Sequence, residues 1–204
     1  MSAPLYLFSR FFEGKAIEHL LGAGVRPEYL NDDRLGRVLD QLWLKGLEQC
    51  FLAIALQAVK VFEVSVNAAH LDSTSFHLHG EYLSQRTALE IGFKGMENQA
   101  EASEPVPLEI CHGYSRDHRP DLKQFVMSLI CCNDGGIPLF LQMGNGNQVD
   151  NQVFAQLLRS FAQQWQFEGV HVADAALYSE ENIQQLDSLR WVSRVPLTLK
   201  WAQQ

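Results

Sequence analysis

A chain of 204 residues suits one domain with an appendage or two small domains, and 47% apolar with 20% charged residues is the composition of a folded globular protein, not a disordered one. A formal net charge of −8 excludes a surface coated in phosphate-binding side chains, so any nucleic-acid contact has to be local. Cys50, Cys111, Cys131 and Cys132 lack both C-x-x-C spacing and the density of a disulfide scaffold; they read as reduced and buried, which implies a cytoplasmic location.

The most apolar run, Cys50 to Val59, is interrupted by Gln57 and followed by Lys60, so it is too short and polar to span a bilayer. Met1 to Phe12 lacks the basic start and long apolar centre of a signal peptide. No membrane partner is expected.

Residues 1–62 read as helical. Phe11, Phe12, Ala16, Ile17, Leu20 and Leu21 recur at helical spacing until Gly22 and Gly24 stop them, and Pro27 to Leu30 is a short turn. Asn31-Asp32-Asp33 opens a second helix with carboxylates near the positive end of its dipole, and Leu35, Val38, Leu39, Leu42 and Trp43 form its apolar stripe. A third helix over Leu47 to Phe62 is apolar on most sides, which predicts burial. Three short helices raise the possibility of a DNA-reading helix-turn-helix. The basic residues do not cluster on one recognition helix, so a packing or linking bundle is the favoured reading.

From Val64 the period changes to that of a strand. Val66 to Thr74 reads as an apolar strand with Asp72 where the strand runs out, and Phe76, Leu78 and Tyr82 alternate beyond it, as in a strand running through or hairpinning past Asp72. His77 and His79 share one face; H-x-H is a metal pair in some proteins, but no third ligand stands at a usual spacing, so an exposed sheet face is the simpler reading. Gln85 to Pro107 is polar with little periodicity, an exposed loop or insertion.

Gly113 to Gln124 is the most distinctive polar stretch. Arg116, His118, Arg119 and Lys123 put positive charge and fork-shaped donors on a loop that Pro120 keeps irregular. Phosphate contact and internal pairing, Asp117 with Arg119 for instance, stand level. Phe125 to Cys132, the turn Asn133-Asp134-Gly135-Gly136 and Ile137 to Met143 form a hairpin. Gly144-Asn145-Gly146 lacks the lysine and spacing of a phosphate loop and reads as a tight exit turn before a helix with Val153, Phe154, Leu157, Leu158 and Phe161 on one face.

Val170 to Asp174 repeats the first design, an apolar strand with a carboxylate at its end. A helix from Ser179 to about Leu186 and a last strand, Trp191 to Val195, follow. A right-handed crossover would set the two Asp strands side by side and parallel, with Asp72 and Asp174 converging. Either Asp alone reads as a cap of the following turn; as a converging pair they need a cation between them, usually divalent.

This order of elements resembles the ribonuclease-H-like fold, and the motifs resemble insertion-sequence transposases of the DDE type. The matching pieces are His70-Leu71-Asp72-Ser73-Thr74, Gly113 to Gln124, Gly136-Ile137-Pro138-Leu139, Gly144-Asn145 with Asp150, and Val172-Ala173-Asp174 before Tyr178-Ser179. Pro4 to Leu7 and Asn31 to Arg37 resemble the helical region before the catalytic core in one subgroup.

The resemblance implies an α/β fold, a ribonuclease-H-like mixed sheet flanked by helices after a small helical region, divided as 1–62 and 63–204. It implies metal-dependent cleavage and transfer of DNA strands at transposon ends, with two Mg²⁺ or Mn²⁺ ions held by three carboxylates. Asp72 and Asp174 match the first two. The third, a Glu on a helix after the last strand, has no counterpart: Glu180 and Glu181 come too early, and Ala175-Ala176 replaces a more polar pair. A copy truncated at both ends, binding metal weakly and cutting DNA poorly or not at all, is therefore expected. DNA is the implied partner, with a homo-oligomer or an intact transposase as others, and Arg116, His118, Arg119 and Lys123 as candidate DNA contacts. Two alternatives remain: a non-catalytic regulator that binds DNA or a transposase and keeps the fold, and a hydrolase acting on a small phosphate.

Overall fold

The computed structural model describes residues 4–83, 107–115 and 117–198. The chain divides into two units, Met1–Cys50 and Phe51–Gln204. The expected insertion over residues 85–106, and Arg116, lie outside the described residues.

In the first unit, a 3-10 turn at Leu5–Leu7 leads into α1 (Phe8–Phe11), followed by α2 (Ile17–Leu21), a second 3-10 turn at Pro27–Tyr29 and α3 (Asp32–Lys45). The single helix expected from Phe11 to Leu21 is two, because Gly14 takes a left-handed φ of 72° between them. Phe8, Phe11 and Phe12 pack ring against ring with centroids 5.0–6.2 Å apart, which holds α1 despite its length. Asn31 caps α3 as expected, its side chain accepting from the Arg34 amide at 2.9 Å.

Helix α4 (Leu47–Val61) matches its expected span but not its expected burial. Only Ala55 is buried, and Ile54 is 69% exposed. An apolar composition all round predicts a helix surrounded by protein, and among the described residues α4 reaches the core of its unit through Val59. The cysteines are free as expected, but only Cys132 is buried and the other three are half-buried.

The second unit is built on a five-stranded sheet in the order β3-β2-β1-β4-β5, with β1 spanning Ala68–Leu78, β2 Lys123–Cys132, β3 Pro138–Gly144, β4 Val170–Ala173 and β5 Trp191–Ser193. The strands β1, β2 and β3 are antiparallel neighbours, while β4 is parallel to β1 and β5 parallel to β4. This is the mixed sheet of the expected ribonuclease-H-like fold. The parallel step from β3 to β4 crosses over through α5 (Asp150–Trp165), and α6 (Glu180–Gln185) links β4 to β5.

Alternation decides which face is buried. Ala69 and Leu71 of β1 lie opposite Cys132 and Ile130 of β2, and these pack with Ala173 against Phe154, Leu158 and Phe161 of α5. His70, Asp72 and Thr74 alternate to the other face and are exposed. The hairpin between β2 and β3 forms as expected, with Gly135 and Gly136 at φ of 69° and 63°. Its turn also steadies the entry to β1: Asn133 Oδ1 accepts from the Asn67 and Ala68 amides at 3.2 and 3.0 Å, and Asp134 Oδ2 accepts from Ser65 at 3.0 Å. Among the described residues no single helix is long and apolar enough to cross a membrane.

Candidate functional site

The parallel ladder between β1 and β4 runs from Ala68–Val170 to Leu71–Ala173 and stops there, one residue before Asp72 on one strand and Asp174 on the other. In-register parallel neighbours face the same way, and neighbouring strands lie roughly 5 Å apart. Leu71 and Ala173 turn into the core, so Asp72 and Asp174 both turn to the opposite face, where both are exposed. By this register the two carboxylates stand on one sheet face, just beyond the end of the β1–β4 ladder.

Strand β1 does not end at Asp72. It continues six residues further, to Leu78, paired with β2 throughout. What ends beside Asp72 is its pairing with β4.

Each carboxylate spends one oxygen locally. Asp72 Oδ1 accepts from the Ser73 amide at 2.8 Å, and Asp174 Oδ1 accepts from the Ala176 amide at 2.9 Å, capping the 3-10 turn Ala175–Leu177. The capping expected of a strand-end Asp is therefore found at Asp174, while Asp72 stands inside a strand that continues. The Ser193 hydroxyl donates to the Asp174 carbonyl at 2.6 Å, which ties β5 to the strand end. Among the described residues no lysine or arginine pairs with either Asp, and no three His, Cys, Asp or Glu side chains converge.

The basic loop is occupied with itself. Arg119 grips Asp121 through two hydrogen bonds of 2.9 and 2.7 Å, so the internal pairing involves Asp121 and not Asp117. The hydrogen bond from Arg119 holds the Asp121 carboxyl down at a pKa of about 2, and the same contact raises that of Arg119. Lys123 Nζ donates to the carbonyls of Glu81 and Tyr82. His118 is exposed, with a left-handed φ of 56°.

His77 is not on an exposed face: its side chain is 11% exposed and sits between Ser115 Oγ, 3.0 Å from Nε2, and Asp117, 3.5 Å from Nδ1. It latches the loop to β1 instead of pairing with His79. Gln124, also buried, donates from Nε2 to the carbonyls of Gly146 and Tyr114 at 2.7 and 3.2 Å and joins the loop to the exit from β3.

Sequence reasoning missed a contact below the pair. Ser73, 6% exposed, donates from its hydroxyl to Asp150 Oδ1 at 2.7 Å across 77 residues. Both residues stand inside the motifs singled out above, yet nothing local tells that they meet. Asn182 is similar: buried in α6, it donates to the Asn151 carbonyl of α5 at 2.9 Å.

Residues 68–204 match the family model of the transposase DDE domain, and residues 1–56 match a domain of unknown function, DUF4277. The chain belongs to the DDE transposase family. This transposase chain has no match among curated proteins. Among solved structures it is similar to the Mos1 mariner paired-end complex with Mn, at 12% identity and a TM-score of 0.36 over 77% of this chain and 42% of that one. It is also similar to the Mos1 transposase paired-end complex with the left transposon end, at 11% identity and a TM-score of 0.35 over 95% of this chain and 60% of that one. The transposase chain thus spans 42–60% of the length of these proteins, and its assignment rests on the family model and not on them.

Proposed function

We propose that this transposase chain contributes Asp72 and Asp174 as ligands of divalent metal, Mg²⁺ or Mn²⁺, in the cleavage and transfer of DNA strands at transposon ends. The observation that supports it is the register: Leu71 faces Ala173, and the next residue on each strand is an exposed carboxylate. Hard carboxylate oxygens are the donors such ions take, and each Asp keeps one oxygen without a partner among the described residues. The residues therefore fit the metal. When bound, it would activate a hydroxyl nucleophile for in-line attack on phosphorus and stabilise the leaving oxygen.

The chain's own residues prepare that chemistry. The Ser73 and Ala176 amides fix the orientation of the two carboxylates, and Ser193 fixes the backbone behind Asp174. The two Asp residues would supply two of the three carboxylate ligands that the family uses. DNA is the proposed partner, with a second copy or an intact transposase as the protein partner. Of the basic loop, His118 is free to meet a phosphate, while Arg119 would have to exchange Asp121 for it and Lys123 the carbonyls that it now holds.

A calorimetric Mn²⁺ titration of the wild type beside Asp174→Asn tests the reading. Saturable binding that the substitution abolishes supports it; equal binding in both sinks it. A second reading, a regulator that binds DNA or a transposase without cutting, draws on the absence of a third converging ligand among the described residues. It predicts salt-sensitive DNA binding that Asp72→Asn leaves unchanged.

A further inference from the structure

Asp72 is exposed, so no packing holds its side chain. Its only hydrogen bond among the described residues is from the next amide, that of Ser73, at 2.8 Å. The orientation of the carboxylate is thus set by the backbone of Ser73. At that point β1 has already lost β4 as a neighbour, since the parallel ladder stops at Leu71–Ala173, and only β2 still holds it. On the buried face, directly behind Asp72, the Ser73 hydroxyl is bound to Asp150 Oδ1 at 2.7 Å. Asp150 is the first residue of α5, the helix that carries Phe154, Leu158 and Phe161 into the core. Through this contact α5 holds β1 from its buried face just beyond the point where β4 stops pairing with it.

We propose that Asp150 is a positioning residue: acting through Ser73, it aims the Asp72 carboxylate and so sets the affinity of the Asp72–Asp174 pair for a divalent cation. The inference rests on the metal reading above and deepens it. Groups that hold a ligand from behind are worth about 10- to 100-fold in metal affinity when removed. The contact needs a hydroxyl at position 73 and an acceptor at position 150; a negative charge at position 150 is not required. A substitution that keeps the acceptor keeps the function, which a simple charge effect or helix-end effect does not predict.

The test is a Mn²⁺ titration of the full chain, free Mn²⁺ being read by electron paramagnetic resonance, with thermal unfolding of each metal-free variant measured alongside. The set is the wild type, D72N, S73A, S73T, D150A and D150N. The expected result is saturable binding in the wild type, its loss in D72N, a weakening of about 10-fold or more in S73A and D150A, and near wild-type affinity in S73T and D150N. Wild-type affinity in S73A and D150A, with D72N still inactive in binding, overturns the positioning role and leaves the metal reading standing. Equal weakening in D150N and D150A also overturns it, because charge and not the hydrogen bond then matters. Binding that D72N does not alter overturns the metal reading, and the positioning role falls with it. If D150A does not fold, S73A and D150N carry the comparison on their own.

Discussion

Asp72 and Asp174 occupy equivalent places one residue beyond the paired Leu71 and Ala173, on the same open face of two parallel strands. Two carboxylates so placed have no cation beside them among the described residues. Exposed and uninvolved in the core, they contribute little to the metal-free fold, so Asp72→Asn or Asp174→Asn should change its stability by less than about 0.5 kcal/mol. Added Mn²⁺ should separate the proteins. A ligand at a hundred times its dissociation constant stabilises the native state by about 2.7 kcal/mol, which raises the wild-type midpoint by several degrees and leaves both variants where they were. Differential scanning calorimetry with and without Mn²⁺ checks this, and an equal rise in all three proteins would refute it.

The loop before β2 is the second place where charge is held in reserve. Arg119 spends its guanidinium on Asp121, and that exposed pair is not needed to hold the loop, because Ser115 Oγ already accepts from the Arg119 amide at 2.7 Å and anchors to His77. Replacing Asp121 by Asn should release Arg119 toward phosphate and tighten binding to duplex DNA several-fold. The dependence of log affinity on log salt should steepen by about one, the signature of one more neutralised phosphate. Fluorescence anisotropy across a salt series is the measurement; an unchanged slope would mean that this loop does not meet DNA.

What the sequence disclosed follows physical range. The alternation in β2 and β3, the glycine turn between them and the apolar stripe of α5 are local signals, and each became the element that it suggested. The two Asp strands were legible as a pair because a crossover connection has a fixed hand, which makes them parallel neighbours. The length of β1 was half legible: the alternation beyond Asp72 left a strand running through it and a hairpin past it both open, and β1 runs through. Ser73, Thr74 and Ser75 read as the exit from a strand, and only pairing with Met127 and its neighbours in β2 keeps them extended. The burial of α4 failed for the opposite reason: composition reports how apolar a helix is but not whether anything lies beside it. The Ser73–Asp150 contact spans 77 residues and has no local trace at all.

The glycine of the exit turn carries its own prediction. Gly146 lies where the loop, β2 and the start of α5 meet, and its amide donates to the Glu109 carbonyl at 3.0 Å. A Cβ at this position would run into the carbonyl oxygens of Gln124 and Cys111, which are backbone atoms and cannot swing aside. Gly146→Ala should therefore cost about 1–3 kcal/mol through forced separation of the backbones, read as a lower urea midpoint at unchanged slope. Gly36→Ala in α3, where nothing lies within 4 Å of the added atom, is the control and should be neutral or slightly stabilising. A Gly146→Ala protein as stable as the wild type would show that this junction is not tight.

Beneath the sheet, His171 makes the fold sensitive to acid. It is 1% exposed, packs edge-on against Phe161 and Phe167 with centroids 6.1 and 4.9 Å away, and leaves Nε2 without a partner among the described residues. Nδ1 donates to the Arg190 carbonyl at 3.1 Å. Burial lowers the pKa, and the hydrogen bond to Arg190, which acts the other way, only partly offsets it. The sign follows. Above the unfolded value of about 6.5, histidine is neutral in both states and the fold keeps its full stability; as the pH falls below 6.5 the unfolded chain takes up a proton that the folded chain refuses, and stability drops until the lower folded pKa is passed. His171→Phe fills the same aromatic pocket, and the backbone amide at 171, which already donates to the Arg190 carbonyl at 2.8 Å, keeps that oxygen satisfied. Urea midpoints measured between pH 7.5 and 5 should fall more steeply for the wild type than for His171→Phe. Parallel profiles in the two proteins would show that His171 takes up its proton without leaving the core.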